Sequence, residues 1–235
     1  IFLVEQVIEY LVYQRFVAGL PSCFTFLKAF LNFDVAKIKW WEKHYWTRAK
    51  RLAAMSQDDK NFIEGIDSSL KVDVVANGVD IHYFANIKKQ KTNKPTILFV
   101  GNFKWLPNRD AAQFLVKDIW PLIKSQITDA RLWIVGRNPT PDLKNYASGD
   151  ISIDEGVGDI RTAYGKSDVL LAPIRNGRGT KYKILEAMAT KTAIVGTPLA
   201  TEGINIINNK HALIGESAKD LAEKIIRLLK NHEES

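Results

Sequence analysis

The chain has 235 residues, 46% of them hydrophobic and 25% charged, a globular composition with enough apolar material for one large domain or two small ones, which excludes a disordered or fibrous chain. A formal net charge of +7 suits anionic partners in general, whether phosphate esters, anionic lipid surfaces or nucleic acid. The single cysteine, Cys23, excludes an internal disulfide framework and a cysteine-rich zinc site and fits a reducing compartment, so a cytoplasmic location is expected.

Glu5, Glu9, Arg15 and Lys28 punctuate the apolar N-terminal region, which therefore falls short of the roughly 18 uninterrupted apolar residues that span a bilayer. The chain opens at Ile1 with neither a methionine nor a basic segment ahead of an apolar core. It reads as neither a signal peptide nor a natural start, and a truncated N-terminus is expected. Residues 24–33 are apolar and aromatic and read as a core helix or interdomain packing, with membrane contact as the alternative. Residues 34–55 place Trp40, Trp41, Tyr45 and Trp46 among Lys37, Lys39, Lys43, Arg48, Lys50 and Arg51 at helical density. A packed helix with solvated lysines is expected there, the alternatives being a nucleic-acid or membrane surface. Ser56-Gln57-Asp58-Asp59 forms a capping box that opens a helix, and residues 71–75 followed by Asn77-Gly78 read as strand and turn. Residues 88–95, basic and ending in Pro95, have the composition of a connection between domains. The expected division is a partial α/β domain over 1–87, a linker over 88–95 and a complete α/β domain over 96–235.

Beyond the linker, strand-like and helical patterns alternate: 97–100, 109–123, 131–135, 160–163, 169–171, 181–189, 193–195 and 221–229. Such alternation predicts a Rossmann-like parallel sheet covered on both faces. Gly101, Gly136 and Gly177 each follow a strand-like run, and in open parallel sheets ligands collect at that carboxyl edge. Between Ala172 and Ala189 the chain passes from a strand through Pro173 into a loop carrying Gly177, Gly179 and Thr180, then into a helix. Arg175, Arg178, Lys181 and Lys183 surround those glycines. Backbone amides, a helix N-terminus and these cations suit phosphate, while Glu186 can accept hydrogen bonds from a vicinal diol. No Asp-x-Asp precedes a helix, and His44, His82, His211 and His232 are scattered without metal-ligand spacing. Metal-free charge stabilisation is expected, with no cofactor and no hydrolase triad.

Six words stand in one order along the chain: Asn77-Gly78-Val79-Asp80, Phe99-Val100-Gly101-Asn102, Trp105-Leu106-Pro107-Asn108, Trp133-Ile134-Val135-Gly136, the run Gly179-Thr180-Lys181-Tyr182-Lys183-Ile184-Leu185-Glu186-Ala187-Met188-Ala189, and Glu202-Gly203-Ile204. In this the chain resembles glycosyltransferase family 4, retaining enzymes of the GT-B fold, from about Ser56 to the C-terminus. The resemblance implies sugar transfer from a nucleoside-diphosphate sugar to a glycan or lipid-linked acceptor in envelope polysaccharide or glycolipid assembly. It implies no nucleic-acid partner, and the peripheral contact it implies would be at the inner face of the cytoplasmic membrane. It implies a catalytic set of Arg178, Lys181 and Glu186, with Glu186 on the ribose. It further implies donor binding by Gly101, Asn102, Lys104, Gly177, Gly179, Thr180, Lys183 and Glu186, and nucleobase contact by residues 155–160. Two positions depart from the family pattern: Arg178 stands where a sugar-contacting glutamate is usual, and Asn102 where an arginine is, with Lys104 or Arg109 as substitutes. The acceptor glycine loop of such enzymes would precede Ile1. A GT-B sugar-nucleotide epimerase and a basic polyanion-binding module are the alternative readings.

Overall fold

The computed structural model describes residues 1–90 and 92–231. Lys91, inside the expected linker, and His232 to Ser235 lie outside the described residues. The chain forms two compact units, one of Ile1–Asn77, Asn176–Thr180 and Glu202–Ile204, the other of Gly78–Arg175, Lys181–Thr201 and Asn205–Ser235.

In the first unit, strands β1 (Phe2–Glu5), β2 (Arg51–Ala54) and β3 (Val72–Val74) form a parallel sheet in chain order. Helices α1 (Glu9–Gly19) and α2 (Thr25–Arg48) connect β1 to β2, and α3 (Gln57–Ile66) connects β2 to β3. Ser56 caps α3 as expected: its Oγ accepts the Asp59 amide at 3.1 Å, and the Asp59 carboxylate answers by accepting the Ser56 hydroxyl at Oδ2, 2.8 Å away. The core gathers Ile8, Tyr10, Val17, Val35, Trp46, Leu52, Ile63 and Val72. Two expectations are corrected. Residues 34–55 are not one helix, because α2 ends at Arg48 and Arg51–Ala54 is a strand. Residues 24–33 are not a core segment: Phe24, Phe26, Leu27, Phe30 and Phe33 are exposed. The face of α2 that meets the core is set instead by Leu31, Val35, Ile38 and Trp46, which recur at helical spacing.

In the second unit, β4 (Thr96–Val100), β5 (Arg131–Val135), β6 (Ile151–Asp154), β7 (Val169–Ala172), β8 (Ala193–Gly196) and β9 (Leu213–Ile214) form one parallel sheet in the order β6-β5-β4-β7-β8-β9. The crossover helices are α5 (Leu106–Phe114) continuing into α6 (Trp120–Lys124), α7 (Pro141–Lys144), α8 (Ile160–Gly165) and α9 (Tyr182–Ala189), preceded by α4 (Ile81–Ala85) and followed by α10 (Ala218–Lys230). A π-helical turn over Leu115–Ile119 joins α5 to α6, next to Pro121, which has no amide to donate. The helix read from residue 109 onward begins earlier, at Leu106, so Asn108 lies in its first turn. Relative to the first strand of the unit the order is 3-2-1-4-5-6, that of a doubly wound dinucleotide fold. Its direction of winding reverses between β4 and β7, and ligands enter at that switch point.

Glu5 makes the first unit sensitive to pH. Its carboxylate accepts a hydrogen bond from Trp46 Nε1 at 2.7 Å, yet burial, aided by the neighbouring Glu42 and Glu9, lifts its pKa to about 7. A carboxyl whose folded pKa is raised gives stability that is intact below about pH 4.5 and lost as pH climbs through 7. Glu5→Gln is therefore expected to leave urea unfolding unchanged at pH 4. At pH 8 it should stabilise by about 1–2 kcal/mol, allowing for partial solvent screening.

Candidate functional site

The carboxyl edge of the second sheet is crowded around its switch point. Gly101 and Asn102 leave β4, Gly136 and Asn138 leave β5, and α9 returns to the same edge after β7. A Cβ on Gly136 would lie 1.6 Å from the carbonyl oxygen of Gly101, so only glycine lets these two loops touch. A Cβ on Gly101 would in turn press on the side chain of Asn108, at 3.0 Å from its Cγ.

That close packing supports a chain of hydrogen bonds. Asn102 Oδ1 accepts from the Lys104 amide at 3.1 Å and from Asn138 Nδ2 at 3.0 Å, and the Asn102 carbonyl accepts from Asn108 Nδ2 at 2.9 Å. Asn108 Oδ1 then accepts from Lys183 Nζ at 3.0 Å. The Lys183 ammonium also stands 4.4 Å from the centroid of the Phe99 ring, a cation–π distance. Burial is the main reason the Lys183 pKa falls from 10.5 to about 7; Lys181 lowers it further and Glu186 opposes the fall. One turn along α9, Glu186 Oε2 accepts from the Tyr164 hydroxyl at 2.7 Å, and that hydroxyl also reaches the Lys183 carbonyl at 3.2 Å. Tyr164 is fully buried, and its pKa is pushed well above 10 by burial first and by the Glu186 charge second. A buried amine and a carboxylate held by a buried phenol are thus placed near the sheet's switch point.

Gly101, Asn102, Lys183 and Glu186 are accordingly brought into one polar cluster. Lys104 is exposed, with its backbone tied to Asn102. Lys181 is the N-cap residue of α9, near enough for its charge to lower the Lys183 pKa. Of the other cations, Arg175 pairs with Asp110 at 2.7 Å and lies 4.0 Å from the Phe114 ring centroid. Residues 155–160 join β6 to α8, where Asp159 caps the helix and binds Arg161. Tyr164 and Asn138 carry no motif in the sequence, and Asn108 stands there only as the last residue of the word Trp105-Leu106-Pro107-Asn108. Only the position of Tyr164 in a helix facing the sheet could have drawn attention to it.

Gly177, Arg178, Gly179 and Thr180 belong to the first unit. Gly177 and Gly179 have φ of 100° and 80°, in the region that favours glycine. The Gly177 carbonyl accepts from Arg15 Nη1 at 2.8 Å. Arg178 is buried against Asp59, with Nη2 at 3.0 Å and Nε at 3.1 Å from the same carboxylate oxygen, and lies 5.3 Å from the Phe62 ring centroid. Among the described residues, Thr180 Oγ1 and Glu202 Oε2 are buried side-chain atoms without a hydrogen-bond partner.

Removing either buried pair separates packing from chemistry. Arg178→Ala leaves Asp59 as an uncompensated buried charge and is expected to cost about 3–5 kcal/mol in chemical denaturation. Tyr164→Phe removes a hydrogen bond to a carboxylate and is expected to cost about 1.5–3 kcal/mol. An unchanged unfolding midpoint in either variant would show that the interaction contributes nothing net.

Residues 94–231 match the family model described as glycosyl transferases group 1. A phosphatidyl-myo-inositol mannosyltransferase of Mycobacterium tuberculosis is 28% identical over 133 residues, which cover 53% of this chain and 34% of that protein. An uncharacterized 44.6 kDa protein in the cps region of Klebsiella pneumoniae is 25% identical over 145 residues, 57% of this chain and 37% of that protein. The chain spans little more than a third of the length of the curated relatives it matches. Among solved structures, sucrose-phosphate synthase from Thermosynechococcus elongatus superposes with a TM-score of 0.70 at 16% identity, over 99% of this chain and 59% of that one. Anabaena Alr3699/HepE in complex with UDP and glucose gives 0.63 at 12% identity, over 79% and 55%. These likenesses bear out the expected α/β fold of GT-B type. The family match covers more than half of the chain and includes the whole polar cluster from Gly101 to Glu186, and the chain belongs to the glycosyl transferases group 1 family.

Proposed function

We propose that the second unit binds the donor of a hexosyltransferase, a nucleoside-diphosphate sugar, whose sugar passes with retention to a glycan or lipid-linked acceptor in envelope polysaccharide or glycolipid assembly. The observation that carries this reading is the buried Lys183 amine at the sheet's switch point, with Lys181 beside it and Glu186 one turn on. Support for the donor class comes from the UDP and glucose bound by the Anabaena protein. Support for the setting comes from the mannosyltransferase and the cps-region relative.

In this reading the diphosphate meets Lys183 and Lys181, and Glu186, oriented by Tyr164, accepts hydrogen bonds from the ribose hydroxyls. Negative charge grows on the leaving phosphate as the glycosidic bond breaks, and fixed cations stabilise it without reorganising. The lysines carry that role here, with no metal assigned to it, and the reaction takes place on the cytoplasmic side.

The state of Lys183 couples binding to pH. With a pKa near 7 in the folded chain it is largely neutral at pH 8 to 9, whereas an adjacent phosphate favours its charged form. Binding above pH 7 should then take up a proton, which calorimetry in buffers of different ionisation enthalpy will register, and affinity should fall as pH rises from 7 to 9. Stability runs the other way. A lysine whose folded pKa is depressed binds fewer protons than in the unfolded chain between pH 7 and 10.5, so its destabilising burial is felt fully below 7 and relieved as pH rises. Lys183→Met should be more stable than the parent at pH 6 by a margin that shrinks toward pH 10, while losing nucleotide affinity.

The direct test is titration of the chain with nucleoside diphosphates and their sugars. Selective binding of one nucleotide is expected, weakened by about 1.5–3 kcal/mol in Glu186→Ala, the scale of charged hydrogen bonds. Equal affinity in that variant would remove Glu186 from the site, and no binding by the folded parent would overturn the donor reading.

A further inference from the structure

The amino edge of the second sheet holds a groove of its own. It has a volume of about 670 Å³ and lies between the end of α9, the start of β8, the turn over 207–212 and the last turns of α10. The donor cluster is at the opposite edge: α9, eight residues and about 12 Å long, carries Lys183 in its first turn and reaches the groove with its last. Met188, Ile194 and Leu228 line the groove with apolar surface, and Lys191, Lys210, His211 and Arg227 line it with basic side chains. Among the described residues that line it none is acidic. The acids of the helices around it are engaged elsewhere, Asp220 with Lys224, Glu223 with Lys219 and Glu186 with Tyr164.

Hydrogen-bonded turns hold these basic groups in place. Helix α9 ends in a Schellman turn, in which the Lys191 amide donates to the Met188 carbonyl at 3.1 Å and the Thr192 amide to the Ala187 carbonyl at 2.8 Å. The residue of such a turn that takes a positive φ is normally glycine, yet Lys191 occupies it with φ of 52°. Its side chain is exposed, and among the described residues neither its amine nor that of Lys210 has a partner. A local rule broken with no gain inside the fold calls for a contact that the fold itself does not supply. The turn over 207–212 is likewise tied: the Ile207 carbonyl accepts the Lys210 and His211 amides at 3.2 and 2.9 Å, and the Asn209 amide donates to the Ala212 carbonyl at 2.8 Å. His211 Nδ1 accepts the Ile207 amide at 3.2 Å, so the ring proton lies on Nε2 as a donor. Two ammonium groups and an imidazole donor on separate turns suit an anion with several acceptor oxygens, and the apolar surface between them suits a body attached to it.

We propose that this groove is a second ligand site, which takes a soluble phosphate monoester whose apolar group lies against Met188, Ile194 and Leu228. The donor cluster attracts phosphate too, so the test silences it: the full chain carrying Lys183→Met is titrated with phenyl phosphate, inorganic phosphate and phenol. Phenyl phosphate should bind at one equivalent, at least about fivefold tighter than inorganic phosphate, and phenol should not bind. Adding Lys191→Gly and Lys210→Ser should weaken the ester at least about tenfold. Because glycine suits the left-handed position, that variant's melting temperature should be no lower, which separates a ligand contact from a structural one. Binding that Lys183→Met alone abolishes would overturn the proposal, since the ester would then occupy the donor cluster. So would affinity untouched by the two lysine substitutions, inorganic phosphate bound as tightly as the ester, or lysine-dependent partition onto phosphatidylglycerol vesicles without binding of the soluble ester. The donor reading is tested with nucleotides and Glu186, so either can fail alone.

Discussion

An amine that loses its water must be compensated locally or give up its proton, and the interior around Lys183 does some of each. Asn108 offers one acceptor and the face of Phe99 a diffuse negative potential, but burial and Lys181 outweigh them and hold the pKa near 7. A lysine with its pKa near 7 changes charge within the physiological range, and an anion beside it would favour the charged form. The arrangement is costly for the fold, because an uncharged side chain of similar length, such as methionine, would pack there without that penalty. Structures hold such residues where function needs them, and this one lies at the reversal of strand order, where the topology itself opens a crevice.

The neighbouring glycines follow from that placement. For the turn after β4 to rest against the end of β5, Gly136 must have no side chain. A Cβ on Gly101 would press on Asn108 from 3.0 Å and push by a few tenths of an ångström the side chain that reaches both Lys183 and the Asn102 carbonyl. The two strand-end glycines thus keep that side chain in place. Tyr164 plays the corresponding part for Glu186: a buried hydroxyl with its proton held well beyond the physiological range always donates, and so fixes one carboxylate oxygen.

How much of this was legible in the residues depended on whether a feature repeats locally. The parallel sheet of the second unit followed from alternating patterns, and Gly101, Lys183 and Glu186 stood out because glycine at a strand end and charge at a helix start have direct physical reasons. The strands at 151–154 and 213–214 were missed, the first because it is an edge strand in which Ser152 and Asp154 break the apolar run, the second because it is only two residues long at the other edge. Asn102 stood out through the family resemblance, but its bonds to Asn108 and Asn138 did not, since asparagine is so common in turns that residue type alone does not separate a network from a loop. Arg178 illustrates the opposite difficulty. Its place in a cationic loop suggested a ligand, while the structure shows it buried against Asp59, more than a hundred positions earlier, a pairing that no local pattern can reveal.

Helix α2 shows why composition alone could not settle its own role. Aromatic and basic residues at helical density are compatible with a packed helix and with a surface helix, and both descriptions are true of different sides. Trp46 is buried and donates to Glu5, whereas Trp40, two turns earlier, is mostly exposed. The distinction lies in phase: residues 31, 35, 38 and 46 share one azimuth and residues 26, 30, 33 and 40 the other, so a window average over the helix cancels the signal that each stripe carries separately. A helix of 24 residues, about 36 Å long, then presents a continuous apolar edge on its outer side while its inner side secures it to the sheet.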